Sequence, residues 1–241
     1  MSEIIDVQTG KYILISQNDY ISRKLKSTGS WAPNIQEVAN KLCSTVDSPL
    51  VIDIGANLGG FSVPVAKHLQ GLGGTLIAYE PQPMVYYQLC GNIALNNLTN
   101  VTAINSAVGS YDGFVEIPVI LADESENIGA FSISEEYRKI QNQPNQYTNE
   151  KASVPILMLD SIHVEQAPAF IKIDVEGLEY DVIQHGARFL KKHGYPPMVF
   201  EVWEREWFKQ QKEKLMALVT GLGYKVTNLG SGDYLAEYIN K

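Results

Sequence analysis

Residues 50–62 read LVIDIGANLGGFS, and the fold follows from this stretch. Leu50, Val51, Ile52 and Ile54 form the short apolar run of a strand buried on both faces, with Asp53 near its carboxyl end. Gly55, Gly59 and Gly60 then make a turn, and Phe61 to Leu69 resumes an apolar pattern that suits a helix. Strand, glycine loop and helix in that order open an α/β nucleotide-binding sheet.

Working outward, the loop chemistry bears on the ligand. Dinucleotides and S-adenosylmethionine both use such loops, but a dinucleotide loop needs room for a pyrophosphate and reads GxGxxG. Here the spacing is Gly55-Ala56-Asn57-Leu58-Gly59, and the Asp53 carboxylate just ahead of it would repel phosphate. The same anion suits a ligand carrying an ammonium and a sulfonium, which favours S-adenosylmethionine over NAD. A second apolar strand, 75–79, ends at Glu80 followed by Pro81, where α/β folds of this kind hold ribose hydroxyls; both cofactors carry the ribose. A third strand, 101–105, runs into Ser106, Ala107, Val108 and Gly109, small enough to admit a flat adenine.

Composition narrows the class. The chain has 241 residues, 45% hydrophobic and 19% charged, with a net charge of −8, enough for a sizeable core and a poor match to a broad phosphate-binding surface. A nucleic-acid substrate is not expected, and no Asn-Pro-Pro-aromatic motif of the kind that holds a flipped base is present. The start, MSEIIDVQTG, lacks a basic segment with a long apolar core, and no stretch approaches the roughly 18 apolar residues of a membrane span. The expectation is a cytoplasmic protein with no membrane span. Cys43 and Cys90 lie in helical patterns without metal or redox spacing and read as buried packing.

No linker divides the chain, so one domain over 1–241 is expected: an extension over 1–49, then an α/β core over 50–241. The extension reads as a strand at 11–16, a helix opening near Asp19 and a second helix over 34–45, with Trp31 between them placed to wall a pocket or to pack. Two candidate strands, 114–120 and 153–157, flank a polar insert, 121–152; at about 30 residues it is too long for a passive connection, and reads as a lid or a disordered segment. Phe170 to Gly177, FIKIDVEG, reads as another central strand, yet carries Lys172, Asp174 and Glu176. Charges rarely sit in such a strand without partners or a task. Lys172 reads either as a buried ion pair or as a functional group. A helix is expected from Gly177 to about Lys192, a strand at 198–203 with Glu201 near its end, a helix over 205–222, and a closing hairpin over 225–229 and 234–239.

These segments, VIDIGANLGGFS, YEPQP, SAVG, MLDSI, FIKIDVEGLEYDVIQHGA and VFEVW, resemble in sequence and order the FkbM family of S-adenosylmethionine-dependent methyltransferases. The resemblance implies a Rossmann-like class I methyltransferase fold: a seven-stranded, mostly parallel sheet with helices on both faces and an antiparallel last strand. It implies O-methylation of a sugar, a glycan or a related small hydroxylated metabolite. Carried over by position, Asp53, Gly55, Asn57 and Gly59 would form the loop on the cofactor's methionine side, Glu80 with Pro81 the ribose clamp, and Ser106 with Ala107 the adenine site. Asp174 and Glu176 would face the methyl group, with Lys172 beside them.

Methyl transfer is a one-step displacement in which the acceptor oxygen must be held in line and lose its proton. None of the four histidines is placed for that, which leaves Asp174 and Glu176. A divalent cation held by these two and Glu201 is a further route, not the expected one, because no dedicated cage is visible. Two rival classes are a noncatalytic S-adenosylmethionine-binding partner subunit and an NAD-dependent oxidoreductase.

Overall fold

The structure, a computed structural model, describes residues 2–16, 19–120, 131–141 and 147–239. In chain order the elements are β1 (Glu3–Val7), β2 (Gly10–Leu14), α1 (Tyr20–Thr28), α2 (Pro33–Cys43), β3 (Leu50–Ile54), α3 (Ser62–Gly71), β4 (Thr75–Tyr79) and α4 (Pro83–Leu95). They continue with β5 (Val101–Ile104), β6 (Ala107–Gly109), β7 (Gly113–Ile120), α5 (Glu135–Ile140), β8 (Tyr147–Met158) and β9 (Phe170–Ile173). The chain closes with α6 (Glu179–Gln184), α7 (Ala187–Lys192), β10 (Met198–Glu201), α8 (Lys209–Gly221), β11 (Tyr224–Gly230) and β12 (Asp233–Tyr238).

The main sheet has seven strands in the order β11-β12-β10-β9-β3-β4-β5. All pairs from β10 to β5 are parallel, whereas β12 runs antiparallel to both of its neighbours. This is the Rossmann-like methyltransferase arrangement, with an antiparallel last strand. Alternation along the central strands sends Val51, Phe170 and Val199 to one face, against α2 and α3. Ile52, Ile54, Ile171, Ile173 and Phe200 go to the other, against α6, α7 and α8. Strand order reverses between β3 and β9, and their carboxyl ends leave a crevice where open α/β sheets bind ligands.

Several sequence expectations are corrected. The helix expected from 177 to about 192 is two, α6 and α7, because the His185 carbonyl accepts the Asp160 N–H and the Asp160 carboxylate accepts the Phe189 N–H at 2.7 Å. A side chain thus caps the second helix where one continuous ladder was expected. Ala107 to Gly109, read from the sequence only as small residues after the third strand, form a strand of their own in a second sheet, β6-β8-β7. The insert expected over 121–152 is shorter, since β8 already begins at Tyr147, paired with Ile120. Residues 121–130 and 142–146 lie outside the described residues, and the choice between lid and disorder falls largely on them. Between them, 131–141 holds α5, and Phe131 packs in a small core with Val85, Ile117, Ile120 and Val154. A strand not expected from the sequence, β1, pairs with β2 around a turn at Gln8 and Thr9. The Gln88 and Asn92 side chains of α4, and that of Asn96 just beyond it, tie β2 down through the backbone of Ile13 and Lys11. Among the described residues no helix is long and apolar enough to cross a membrane.

Candidate active site

A cleft of about 680 Å³ opens over the carboxyl ends of β3, β4, β9 and β10, within the usual range for a small-molecule site. It is lined by Gly55, Ala56, Asn57, Glu80, Pro81, Ser106 and Ala107, together with Asp174, Glu176, Glu201, Trp203 and Trp207. Six of the expected cofactor residues therefore share one surface with two of the expected catalytic ones, and Lys172 also reaches it.

Asp53 and Gly59 do not line the cleft. Asp53 is fully buried on the α3 face of β3, where its register partner on β9 is Lys172. Its carboxylate accepts from Lys172 Nζ at 3.2 Å and from the Ser62 hydroxyl. The direct contact with a cofactor cation suggested by the sequence is thus unavailable, because the charge is already matched inside the sheet. Lys172 Nζ also pairs with Asp174 at 3.2 Å and donates to the Gly55 carbonyl at 2.9 Å. Burial works to lower the Lys172 pKa, but the Asp174 and Asp53 carboxylates outweigh it and hold the ammonium above its ordinary value. Lys172 is therefore a fixed cation tying β3 to β9 and holding the loop, the buried ion pair that its sequence offered, and it reaches the cleft as well.

The loop uses its own donors. Gly55 and Ala56 N–H both donate to the Tyr79 carbonyl, Asn57 N–H donates to Glu80 at 2.8 Å, Leu58 N–H to the Asn57 side chain, and Gly59 N–H to the Ala56 carbonyl. Five successive N–H groups are thus satisfied within the protein, the opposite of a phosphate cradle, which presents them free. Gly55 has φ +80°, and a Cβ there would lie 1.7 Å from the Asp174 carbonyl oxygen, so the two strand ends approach as closely as only glycine allows. Glu80 accepts from Asn57 N–H with one oxygen and from Gln82 N–H with the other. Burial pushes its carboxyl up to about 7 despite these two bonds.

Beside the loop, Asp174 follows β9 directly, and Glu176 stands in the turn before α6 with φ +55°. Glu179 holds that turn: its carboxylate accepts from Val175 N–H at 3.0 Å and Gly177 N–H at 3.3 Å. Burial, then the nearby Asp174, raises the Glu176 pKa well above the carboxylate range, and Trp203 donates to its side chain. Burial and the neighbouring Asp174 and Glu176 do the same to Glu201. Oxygens of Asp174, Glu176 and Glu201 lie within 4.8 Å of one another. Gly177, at φ +97°, lets Trp203 and Tyr137 close on the turn, and Tyr137 packs edge-on to Trp203 with ring centroids 5.5 Å apart. Across the cleft, Trp31 packs edge-on to Tyr20, and Gln36 donates to the carbonyls of both Trp31 and Gly60.

Sequence reasoning missed Glu179, Tyr137, Phe131 and Trp207. For Glu179 a signal existed, since a glutamate in the first turn of a helix just after a glycine turn is a capping pattern. For the aromatics there was none, because they come from separate segments. Among the described residues no histidine lines the cleft.

The sheet order and this crevice define a Rossmann-like methyltransferase fold. The family model of the methyltransferase FkbM domain matches residues 53–226, and the chain belongs to that family. Methyltransferase sdnD of Sordaria araneosa is 24% identical over 208 residues, covering 75% of each chain. The tRNA(Phe) (4-demethylwyosine(37)-C(7)) aminocarboxypropyltransferase of Methanocaldococcus jannaschii is 35% identical over 71 residues, or 30% of this chain and 28% of that protein. Among solved structures, the methyltransferase FkbM of Methylobacillus flagellatus KT superposes with a TM-score of 0.51 at 16% identity, covering 79% of this chain and 44% of the other. The SAM-dependent O-methyltransferase of Thermotoga maritima gives 0.52 at 14%, covering 99% and 78%. At these identities the two structures speak to fold. The chain spans less than half the length of the first structure and under a third of the aminocarboxypropyltransferase.

Proposed function

We propose that this chain transfers the methyl group of S-adenosylmethionine to a hydroxyl of a sugar, a glycan or a related small metabolite. The observation that carries this reading is the single continuous cleft, in which the loop, Glu80, Ser106 and Ala107 face Asp174, Glu176 and an aromatic wall. In this reading Glu80 accepts the ribose hydroxyls on lone pairs left by Asn57 and Gln82, and Ser106 and Ala107 flank the adenine. The loop, with its N–H groups occupied, favours a nucleoside without a pyrophosphate. The dependence on S-adenosylmethionine of the Thermotoga neighbour is consistent with this.

The acceptor oxygen attacks the methyl carbon, the carbon–sulfur bond breaks, the sulfonium becomes a thioether and the hydroxyl proton passes to a carboxylate. An ordinary carboxylate is a weak base at neutral pH, and burial, by raising the Glu176 pKa, brings it closer to the task. Asp174, held by Lys172, orients the hydroxyl. Trp203 and Trp207 offer the flat apolar faces that sugar rings and small metabolites pack against.

The test is incubation with methyl-labelled S-adenosylmethionine and a panel of glycans and small hydroxylated metabolites, scoring which becomes labelled. S-adenosylhomocysteine at a hundredfold excess over its Kd should stabilise the fold by about 2.7 kcal/mol. A thermal shift with NADH and none with either methionine nucleoside would overturn the reading.

A further inference from the structure

Among the described residues, the carboxylates at the carboxyl ends of β9 and β10 outnumber the cations paired with them. Asp174 follows β9 and Glu201 ends β10, parallel neighbours whose register, Phe200 opposite Ile173, places these two residues side by side one step on. Glu176 enters from the turn beyond, so three separate points of the backbone deliver oxygens to one spot, all within 4.8 Å. Lys172 is the ammonium paired there, and it is shared with the buried Asp53. Glu176 receives the Trp203 N–H. Glu201 Oε2 is buried and accepts no hydrogen bond from the described residues, although Glu201 lines the cleft. A buried carboxylate oxygen without a donor is costly, which makes it a second sign, beside the clustering, that something electropositive belongs here.

We infer that Asp174, Glu176 and Glu201 bind one divalent cation, of the hard, oxygen-preferring kind such as Mg²⁺ or Mn²⁺. For a metal–oxygen distance of about 2.1 Å, octahedral ligands lie roughly 3 Å apart when adjacent and roughly 4.2 Å when opposed, so oxygens already grouped within 4.8 Å are near the spacing such an ion requires. Three protein ligands on one side leave the cleft side for water and the acceptor. The inference rests on the proposed methyl transfer to a hydroxyl, since a cation beside that oxygen favours its ionised form, the step at which a carboxylate base is weakest.

The geometry also supplies the probe. Trp203 touches the cluster through Glu176, so Tb³⁺ bound there would emit on excitation of tryptophan. Titration of the ligand-free protein should give sensitised emission saturating at one ion per chain and displaced by Mg²⁺ or Mn²⁺. Glu201→Gln and Glu176→Gln should each weaken apparent Tb³⁺ affinity at least tenfold, with circular dichroism confirming that each variant is folded. Should one variant not fold, the other, together with a rise in the parent's melting temperature on Mn²⁺ addition, carries the test. Absence of saturable emission, or unchanged affinity in the folded variants, overturns the inference. The readout needs neither cofactor nor acceptor: methyl transfer to a hydroxyl without ion binding sinks the cation site alone, and ion binding without transfer to any hydroxyl sinks the proposed reaction.

Discussion

Lys172 shows how much one side chain decides at the residue scale. Its ammonium matches a carboxylate that is fully buried, holds Asp174 and fixes the first carbonyl of the loop. Lys172→Met should therefore strand the Asp53 charge and cost about 3–5 kcal/mol, read by urea denaturation, with Asp53→Asn in the same chain recovering part of the loss. Glu80 is the second such residue. Its folded carboxyl sits near 7 against an ordinary 4.5, so its contribution to stability is complete below about 4.5 and is lost as pH rises through about 7. The melting temperature of the ligand-free protein should fall more steeply across that window than that of Glu80→Gln. Glu80→Ala should in addition loosen the Asn57 N–H and weaken S-adenosylhomocysteine binding, at about 1.5–3 kcal/mol for each lost bond to the charged group, measured by calorimetry.

At the scale of elements, the site depends on two strand ends brought closer than side chains permit. Gly55→Ala would drive a Cβ into the Asp174 carbonyl, backbone against backbone, at a φ of +80°. The expected outcome is a loss of more than about 3 kcal/mol in thermal or chemical denaturation, from overpacking and backbone strain together. The turn from Asp174 to Gly177 behaves as a unit with α6 because Glu179 caps it, and α5 closes over the same turn through Tyr137. The clustered carboxylates, their cap and their aromatic wall thus come from or directly follow β9, α6, β10 and α5, elements that meet at this end of the sheet.

Over the whole molecule, the family match begins at residue 53, yet the core it belongs to begins earlier. Leu14, Ile21 and Leu25 are at most 6% exposed and pack in the same cluster as Val51 and Phe170, while Trp31 and Gln36 brace Gly60. Three such side chains at about 1.5–3 kcal/mol each rival the about 5–15 kcal/mol of a whole domain. Deleting residues 1–32 should consequently abolish cooperative unfolding, as followed by circular dichroism, and not merely reduce transfer. The sequence by itself determined the central parallel strands and the glycine loop, because the two-residue alternation and apolar runs of a buried parallel sheet are local signals, legible at 50–54, 75–79 and 170–173. It also marked Glu80, Asp174 and Glu176 as charges in places that demand a reason. What Asp53 and Lys172 do was decided only by tertiary structure: a register between strands 119 residues apart turned an apparent ligand contact into an internal ion pair. The break between α6 and α7 and the aromatic wall were decided in the same way. Each depends on which distant segments meet, and no local pattern encodes the partner.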